Sequence, residues 1–530
     1  MPLPPRVDDL SSNDDFDNPP EASSPRQRGP FEDLVNSSPG SVAPLLKRFH
    51  ARRDPKRYAL AEEIHCMIVL LYTPDEVMDG FMGSNLPSVL MDIASDPSLY
   101  GKFRHDETAK RYGFHILRSL SSIIRTDDIE TSATVQSSIV GAGPKLWKTL
   151  WNKRSLLFDP EPTLADEKQY DSNFLSGALV QMGHRLSDLG GHNSLLKNDS
   201  SYLAHFMLYA WMMGCRHRFL ALNTVNTIVC HNTDEAWKND FFHAALVEPD
   251  LVEKFSDACR YEFVSSDVIR GDLHEALVIH HFACGFCYPV LRHEAMTPPP
   301  GIPPVMHNIA VACQRNICMG QSKFLLSELM PGLMSIVSLM EQSRGFLNKW
   351  KRDHLEDMQL IGICAKLFPH AAASGQYIFV ETLTKICYVY ASNYETEMKR
   401  LEDQQYGTRV KAALFLVWRA TLEELQSLSL DDEGLVDYTK ANWLDIGGFV
   451  GLDPATNNPE EDAFNAASKH RRIRVKRCQY VDCMCSFHSP QHTMKICTGC
   501  WRARYCSVKC QASDWQAGHR ELCLSRQERL

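Results

Sequence analysis

The sequence lacks the short motifs that accompany much of enzyme chemistry. It contains no G-x-x-x-x-G-K-[ST], no G-x-G-x-x-G and no G-x-S-x-G. These loops serve nucleotide binding, dinucleotide binding and acyl transfer. Their absence argues against the common nucleotide-dependent and hydrolytic enzymes, and we expect a protein without catalytic activity.

Long apolar runs and strong net charge are also missing. No run of about 18 apolar residues occurs, so no ordinary membrane-spanning helix is predicted. The N-terminus has no basic region followed by an apolar one, which argues against a secretory signal. The net charge of −9 over 530 residues does not indicate a surface devoted to nucleic acid. We therefore expect an intracellular protein, cytoplasmic or nuclear, with no membrane partner.

Strict period-two alternation is scarce, which argues against an all-β fold. Stretches such as LPSVLMDIASDP and SYLAHFMLYAWMMGC instead place apolar residues three and four positions apart. This spacing is typical of helices. The sequence predicts a mainly α protein built as an irregular helical array, with an α-solenoid as one possible form. A compact pair of all-α domains is the alternative.

Composition divides the chain into segments. Residues 1–43 are rich in Pro, Ser and Asp, and we expect them to be disordered. The Pro-rich stretch TPPPGIPPV, residues 297–305, predicts an extended linker at which the helical body could divide. The predicted order is a tail (1–43), a helical body (44–451), a linker (452–477), a cysteine-rich domain (478–523) and a short tail (524–530).

The linker ends in KHRRIRVKR, residues 469–477, with six Lys or Arg in nine residues. Such a run can act as a nuclear localisation signal or as a solvated lead-in to the next domain. Both interpretations stay open.

Eight of the 18 cysteines lie between Cys478 and Cys523. A disulfide framework does not suit a reducing compartment, whereas paired thiolates at short spacing are typical zinc ligands. Two-residue gaps and four-residue helical spacing each bring two donors together. The donor pairs are Cys497 with Cys500, Cys506 with Cys510, His519 with Cys523, and Cys478 with either Cys483 or Cys485.

In order and spacing these residues resemble a MYND-type zinc finger, above all in the tail YCSxxCQxxDWxxGHxxxC. The resemblance implies two structural zinc ions with interleaved ligands. One set would be Cys478, Cys483, Cys506 and Cys510, and the other Cys497, Cys500, His519 and Cys523. Four protein ligands leave no open position for substrate, so the metal would be structural.

The same resemblance implies protein binding, often to proline-containing peptides, with Gln511 and Trp515 at positions that line the peptide groove. Trp515 could instead only pack against the zinc turns. The expected function is an interaction adaptor or regulator. An enzyme with its active site in the helical body is the alternative. Lysine methyltransferase activity is disfavoured, because related methyltransferases carry the finger inside the catalytic domain.

A further cluster lies in HEALVIHHFACGFC, residues 274–287. His280, Cys284 and Cys287 would share one helical face. Buried core residues explain this pattern more simply than a second metal site does.

Overall fold

The computed structural model describes most of the chain from residue 29 onward. The described residues are 29–70, 74–101, 106–126, 133–158, 172–196, 202–215, 217–265, 272–287, 291, 305, 308–310, 312–313, 325–342, 360–391, 410–411, 413–415, 417–428, 433–454, 478–480, 494–497, 503–505, 507–520 and 523. The start of the predicted disordered tail, most of the Pro-rich stretch and the basic run lie outside them.

The chain forms two compact units, Met1–Thr233 and Asp234–Leu530. The helices of the first unit are α1 (Glu32–Ser37), α2 (Val42–Ala51), α3 (Lys56–His65), α4 (Asp75–Gly83), α5 (Leu86–Ala94), α6 (Glu107–Ile124), α7 (Ala133–Asn152), α8 (Arg154–Phe158), α9 (Ser172–Leu196), α10 (Leu203–Met212) and α11 (Arg218–His231), with 3₁₀ turns at Pro39–Ser41 and Pro97–Leu99 and a π turn at Cys66–Leu70.

The periodicity of the sequence explains much of this unit. Helix α6 begins at the N-cap Asp106, whose carboxylate accepts from the Ala109 amide, and it packs against α3, α5 and α9. Helix α10 is different, because nearly every one of its residues is buried against α7, α9 and α11. A helix that is apolar on all sides belongs in the centre of a helical domain.

The helical part of the second unit has the same all-α character. Its helices are α12 (Glu235–Ala245), α13 (Pro249–Ser265), α14 (Asp272–Phe286), α15 (Leu325–Gln342), α16 (Leu360–Ala373), α17 (Tyr377–Ala391), α18 (Trp418–Ser427) and α19 (Glu433–Gly448). The predicted mainly α fold is thus confirmed. Stacking as an α-solenoid stays a prediction.

The compact units adjoin in sequence at Thr233 and Asp234, whereas the sequence suggested a division near residues 297–305. Helices α14 and α15, which flank the Pro-rich stretch in sequence, pack against each other. Val305, at the end of that stretch, is buried. Residues 297–304 lie outside the described part of the chain, so a division there stays a prediction.

The expected disorder of residues 1–43 is wrong for residues 29–43. Helix α1 and the turn Pro39–Ser41 lie there, and the side chains of Val35 and Val42 are fully buried. The ring of Phe31 packs against that of Phe49 at 6.1 Å between centroids. The segment is rich in Pro and Ser, yet it carries a short apolar face at Phe31, Val35 and Val42. This face packs against the helical body, which composition alone does not indicate.

Two tryptophans join the last helices of the body. The indole N–H of Trp418 donates to the carbonyl of Trp443 at 3.1 Å, and the indole N–H of Trp443 donates to the carbonyl of Trp418 at 2.9 Å. A Cβ at Gly447 would overlap the Trp418 ring, so the glycine permits this close approach. Helix α19 runs through this glycine and ends at Gly448.

The His280 cluster is a core element. The His280 ring lies 6.3 Å from the Phe255 ring and 5.7 Å from the Phe263 ring, between centroids. Burial raises the pKa values of the Cys284 and Cys287 thiols, which disfavours the thiolates that a metal requires. Among the described residues, this trio does not appear as a converging donor group. The core interpretation is the one that fits.

The second unit should lose stability in acid through His280. Burial lowers the pKa of His280 to about 3, from an ordinary value near 6.5. As the pH falls, the unfolded chain binds a proton at His280 before the folded protein does. The stability that the folded protein has with a neutral His280 is therefore complete above about pH 6.5 and is lost as the pH falls towards 3. Between pH 7 and pH 5 the loss is about 2 kcal/mol.

Denaturant unfolding of wild type and of His280→Leu at both pH values measures this contribution. The variant should lose about 2 kcal/mol less than wild type between pH 7 and pH 5. Equal losses in the two proteins would contradict the assignment to His280.

Among the described helices, none is both long enough and apolar enough to cross a bilayer.

Candidate metal centre

A short antiparallel hairpin carries the first donors of the cysteine-rich domain. Strand β1 (Lys495–Ile496) pairs with β2 (Arg504–Tyr505), with Ile496 opposite Arg504. The Cys497 amide continues the ladder by donating to the Ala503 carbonyl at 2.9 Å. On the other side of β2, the Gln479 amide donates to the Arg504 carbonyl at 2.6 Å. The segment that carries Cys478 is thereby fixed beside the hairpin.

A helical segment carries the later donors. Helix α20 (Val508–Asp514) begins after the N-cap Ser507, whose hydroxyl accepts from the Cys510 amide at 3.1 Å. It continues directly into a π turn over Trp515–His519. Cys506 and residues 521–522 lie outside the described residues. The sharing of one helix face by each pair four residues apart therefore stays a prediction.

Three of the predicted ligands converge. One donor atom from each of Cys497, His519 and Cys523 lies within 4.8 Å of the others. The sulfurs of Cys497 and Cys523 are 3.7 Å apart. This distance is much longer than a disulfide bond of about 2.05 Å. It matches the spacing of about 3.8 Å between two thiolates bound tetrahedrally at about 2.3 Å from one zinc ion.

The donor set therefore fits zinc. Two thiolates and an imidazole are ligands that zinc prefers, and the fourth position is the one that the resemblance gives to Cys500. Cys500 lies outside the described residues. Bound zinc would cross-link the hairpin to the end of the helical segment.

The other predicted set is described only in part. Cys478 is buried in a small hydrophobic core, and Cys510 packs partly against that core. Cys483, Cys485 and Cys506 lie outside the described residues, so the choice between Cys483 and Cys485 stays open. All the described cysteines of the domain are free thiols.

Among the described residues of this domain, the core is small. Its buried members are Cys478, Met494, Cys497, Ala503 and Tyr505, with Tyr480, Cys510 and Cys523 packed partly against them. Half of these eight residues are predicted zinc ligands. The apolar surface that remains is too little to hold such a short segment folded by itself.

The candidate peptide-binding residues lie on the helical segment. Gln511 is half-buried, and Trp515 is 41% exposed. The Trp515 ring also contacts that of His519, at 5.8 Å between centroids and 63° between planes. Both earlier interpretations of Trp515 are therefore compatible with its position, since one face packs on a ligand while part of the ring meets solvent.

Sequence reasoning assigned no role to Tyr505 and Asp514. The buried Tyr505 hydroxyl donates to a carboxylate oxygen of Asp514 at 2.6 Å. The same oxygen lies 3.8 Å from Nδ1 of His519. Both residues belong to the tail YCSxxCQxxDWxxGHxxxC that carries the family resemblance, where they are neighbours of Cys506 and Trp515. Their place in that tail was the sequence signal for a role.

Comparison with known proteins agrees with this geometry. A family model described as MYND finger matches residues 476–523. Neither the curated proteins nor the solved structures include a match to the chain. MYND fingers bind zinc and mediate protein interactions. With its cysteine and histidine donors gathered as zinc requires, the C-terminal segment 476–523 of this mainly helical protein is a MYND finger.

Proposed function

We propose that this protein is an adaptor whose MYND finger captures partners through proline-containing peptides. The finger would hold two zinc ions in the ligand sets given above. The observation that carries the proposal is the outer edge of strand β1, with which no described residue pairs, together with exposed apolar side chains.

The strand edge is at Ile496. Because Cys497 and Ala503 are a hydrogen-bonded pair, the backbone N–H and C=O of the next residue, Ile496, point away from β2. The corresponding outward carbonyl on the far side, that of Arg504, is already occupied by Gln479. An extended peptide can therefore add beside β1 and pair with Ile496.

The apolar side chains of the finger supply anchors. Ile496 is 39% exposed, Val508 is 62% exposed, and Trp515 is 41% exposed. In this proposal the three side chains belong to one apolar patch, the kind of surface that marks a protein-binding site. Proline lacks an amide hydrogen and prefers extended backbone, so a proline-containing peptide suits a surface of aromatic and aliphatic contacts.

The helical body would offer surface for a second partner, and no catalytic role is proposed for it. An enzyme would require a pocket lined by converging acids, histidines or arginines. A surface cavity of about 320 Å³ in the first unit is lined by Gln136, Arg185, Asp188 and Leu189, which include one acid and one arginine. We also place the protein inside the cell, because its clustered thiols must stay reduced to bind zinc.

Replacing Gln511 and Trp515 should weaken peptide capture strongly. The probe is a synthetic peptide of the form Pro-x-Ile-x-Pro, which occurs in this chain at Pro300, Ile302 and Pro304. A double variant, Gln511→Ala with Trp515→Ala, should weaken binding to it at least 30-fold, about 2 kcal/mol, because a central aromatic anchor is removed. Fluorescence anisotropy with the full-length protein measures the affinity. Zinc content is determined in each sample, so that loss of the metal is distinguished from loss of the surface.

The matched control is Gln376→Ala with Tyr377→Ala. Gln376 and Tyr377 are exposed neighbours at the start of α17. This variant should bind as wild type does. Unchanged affinity in the Gln511 and Trp515 variant with zinc retained would show that the finger is mainly structural. The function would then have to be sought in the helical body.

A further inference from the structure

We propose that Asp514, held by Tyr505, positions the His519 imidazole for zinc. The inference concerns the metal centre and does not depend on peptide recognition. It rests on three side chains that contact one another in a row. One Asp514 oxygen accepts a hydrogen bond from the Tyr505 hydroxyl at 2.6 Å and lies 3.8 Å from Nδ1 of His519.

These three side chains are largely removed from solvent. Tyr505 is fully buried, while the side chains of Asp514 and His519 are only 14% and 9% exposed. The Tyr505 hydroxyl fixes the carboxylate 3.8 Å from Nδ1, which is an ion-pair distance and longer than a hydrogen bond. In this proposal the carboxylate accepts from Nδ1–H when zinc binds, and Nε2 is the nitrogen that holds the metal. Histidines that bind metals commonly donate their second ring nitrogen to a carboxylate, which sets both tautomer and ring orientation.

Aromatic rings restrict the same imidazole from other directions. The Tyr505 ring approaches it edge-on at 6.0 Å and 76°, and the Trp515 ring at 5.8 Å and 63°. Zinc requires its nitrogen donor within a narrow range of direction, so restricting ring rotation before binding favours the metal complex.

Stabilisation of the helix does not explain Asp514. The residue lies inside the helical segment and not in its first turn, where an acid would favour the helix dipole. A carboxylate at this position is accounted for by its contact with Tyr505 and His519.

The test is the rate at which zinc passes from the full-length protein to a chromogenic chelator. Asp514→Asn keeps the shape of the side chain but removes its charge, and it should accelerate release from one site 10- to 100-fold. Tyr505→Phe keeps the ring and should accelerate release in the same direction but less. Rates within twofold of wild type for Asp514→Asn would overturn the proposal.

Matched controls come from the helical body, where the Tyr388 hydroxyl donates to Asp445 at 3.3 Å. Tyr388→Phe and Asp445→Asn repeat the two substitutions on a pair outside the finger. Both should release zinc at the wild-type rate. Acceleration in these controls as large as in the finger variants would overturn the proposal.

A second background separates positioning from general support of the fold. In His519→Cys the ligand no longer has a ring to orient, so adding Asp514→Asn should change zinc release less than twofold. A full 10- to 100-fold effect in that background would mean that Asp514 acts on the fold and not through His519.

If His519→Cys holds no zinc, nuclear magnetic resonance of ¹⁵N-labelled histidine tests the positioning of the His519 ring instead. Zinc-loaded wild type should show a protected Nδ1 proton for His519, and Asp514→Asn should lose it. The same signal in both proteins would overturn the proposal.

Discussion

Removing zinc from the full-length protein is expected to unfold residues 478–523 and to leave the helical units folded. Half of the eight side chains in the small core of the finger are predicted ligands. Structural zinc in comparable peptides contributes about 10–16 kcal/mol of apparent binding free energy, which is also folding free energy. Nothing in the described core of the finger replaces a contribution of that size.

Hydrogen exchange followed by mass spectrometry distinguishes the two parts. The amides of Gln479, Cys497 and Cys510 are hydrogen-bonded within the finger and should lose protection in a strong chelator under reducing conditions. Amides in the middle of α10 and α14 should keep theirs. Protection of the finger amides after zinc has been shown to be removed would contradict the expectation.

A ligand substitution should reproduce the effect without a chelator. Cys510→Ala is expected to expose the amides of the finger, because one thiolate of its zinc site is lost. The matched control is Cys230→Ala, which removes an exposed thiol from α11. That variant should keep the zinc content and the exchange pattern of wild type.

Truncating Trp443 is expected to destabilise the second unit by about 3–5 kcal/mol, a large part of the stability of an ordinary domain. Trp443 is fully buried against Phe368, at 5.1 Å between ring centroids. The change to Ala opens a cavity in the core and leaves the buried carbonyl of Trp418 without its indole donor. Denaturant unfolding of the full-length protein measures the loss on the transition of that unit.

Trp515→Ala is the matched control, since it removes the same side chain from an exposed position in the finger. It should leave the unfolding transition of the helical body within about 0.5 kcal/mol of wild type. Trp443→Phe, which keeps a ring but lacks the indole N–H, should be intermediate. A loss below about 1 kcal/mol for Trp443→Ala would show that the reciprocal tryptophan contacts contribute little.

Local pattern was enough for the class of the fold and for the finger. The three- and four-residue spacing of apolar residues is a property of each helix alone, so it predicted α6 and α10 without knowledge of their neighbours. Paired cysteines at short spacing predicted zinc in the same way, and the tail from Tyr505 to Cys523 indicated the family.

Pattern failed where burial depends on distant residues. The face of Phe31 and Val35 is covered by residues that follow it in the chain, so composition alone assigned that segment to disorder.

The sequence by itself determined that this protein is helical and ends in a zinc-binding finger, because helix periodicity and ligand spacing are encoded over a few neighbouring residues. The resemblance had already grouped Cys497, His519 and Cys523 in one ligand set, and only the tertiary structure shows that these donors meet. Cys497 and Cys523 are separated by 26 positions, yet their sulfurs lie 3.7 Å apart. It also placed Tyr505 and Asp514 against His519 and joined Trp418 to Trp443. Such contacts depend on the directions in which packed elements leave their turns, and no local pattern carries that information.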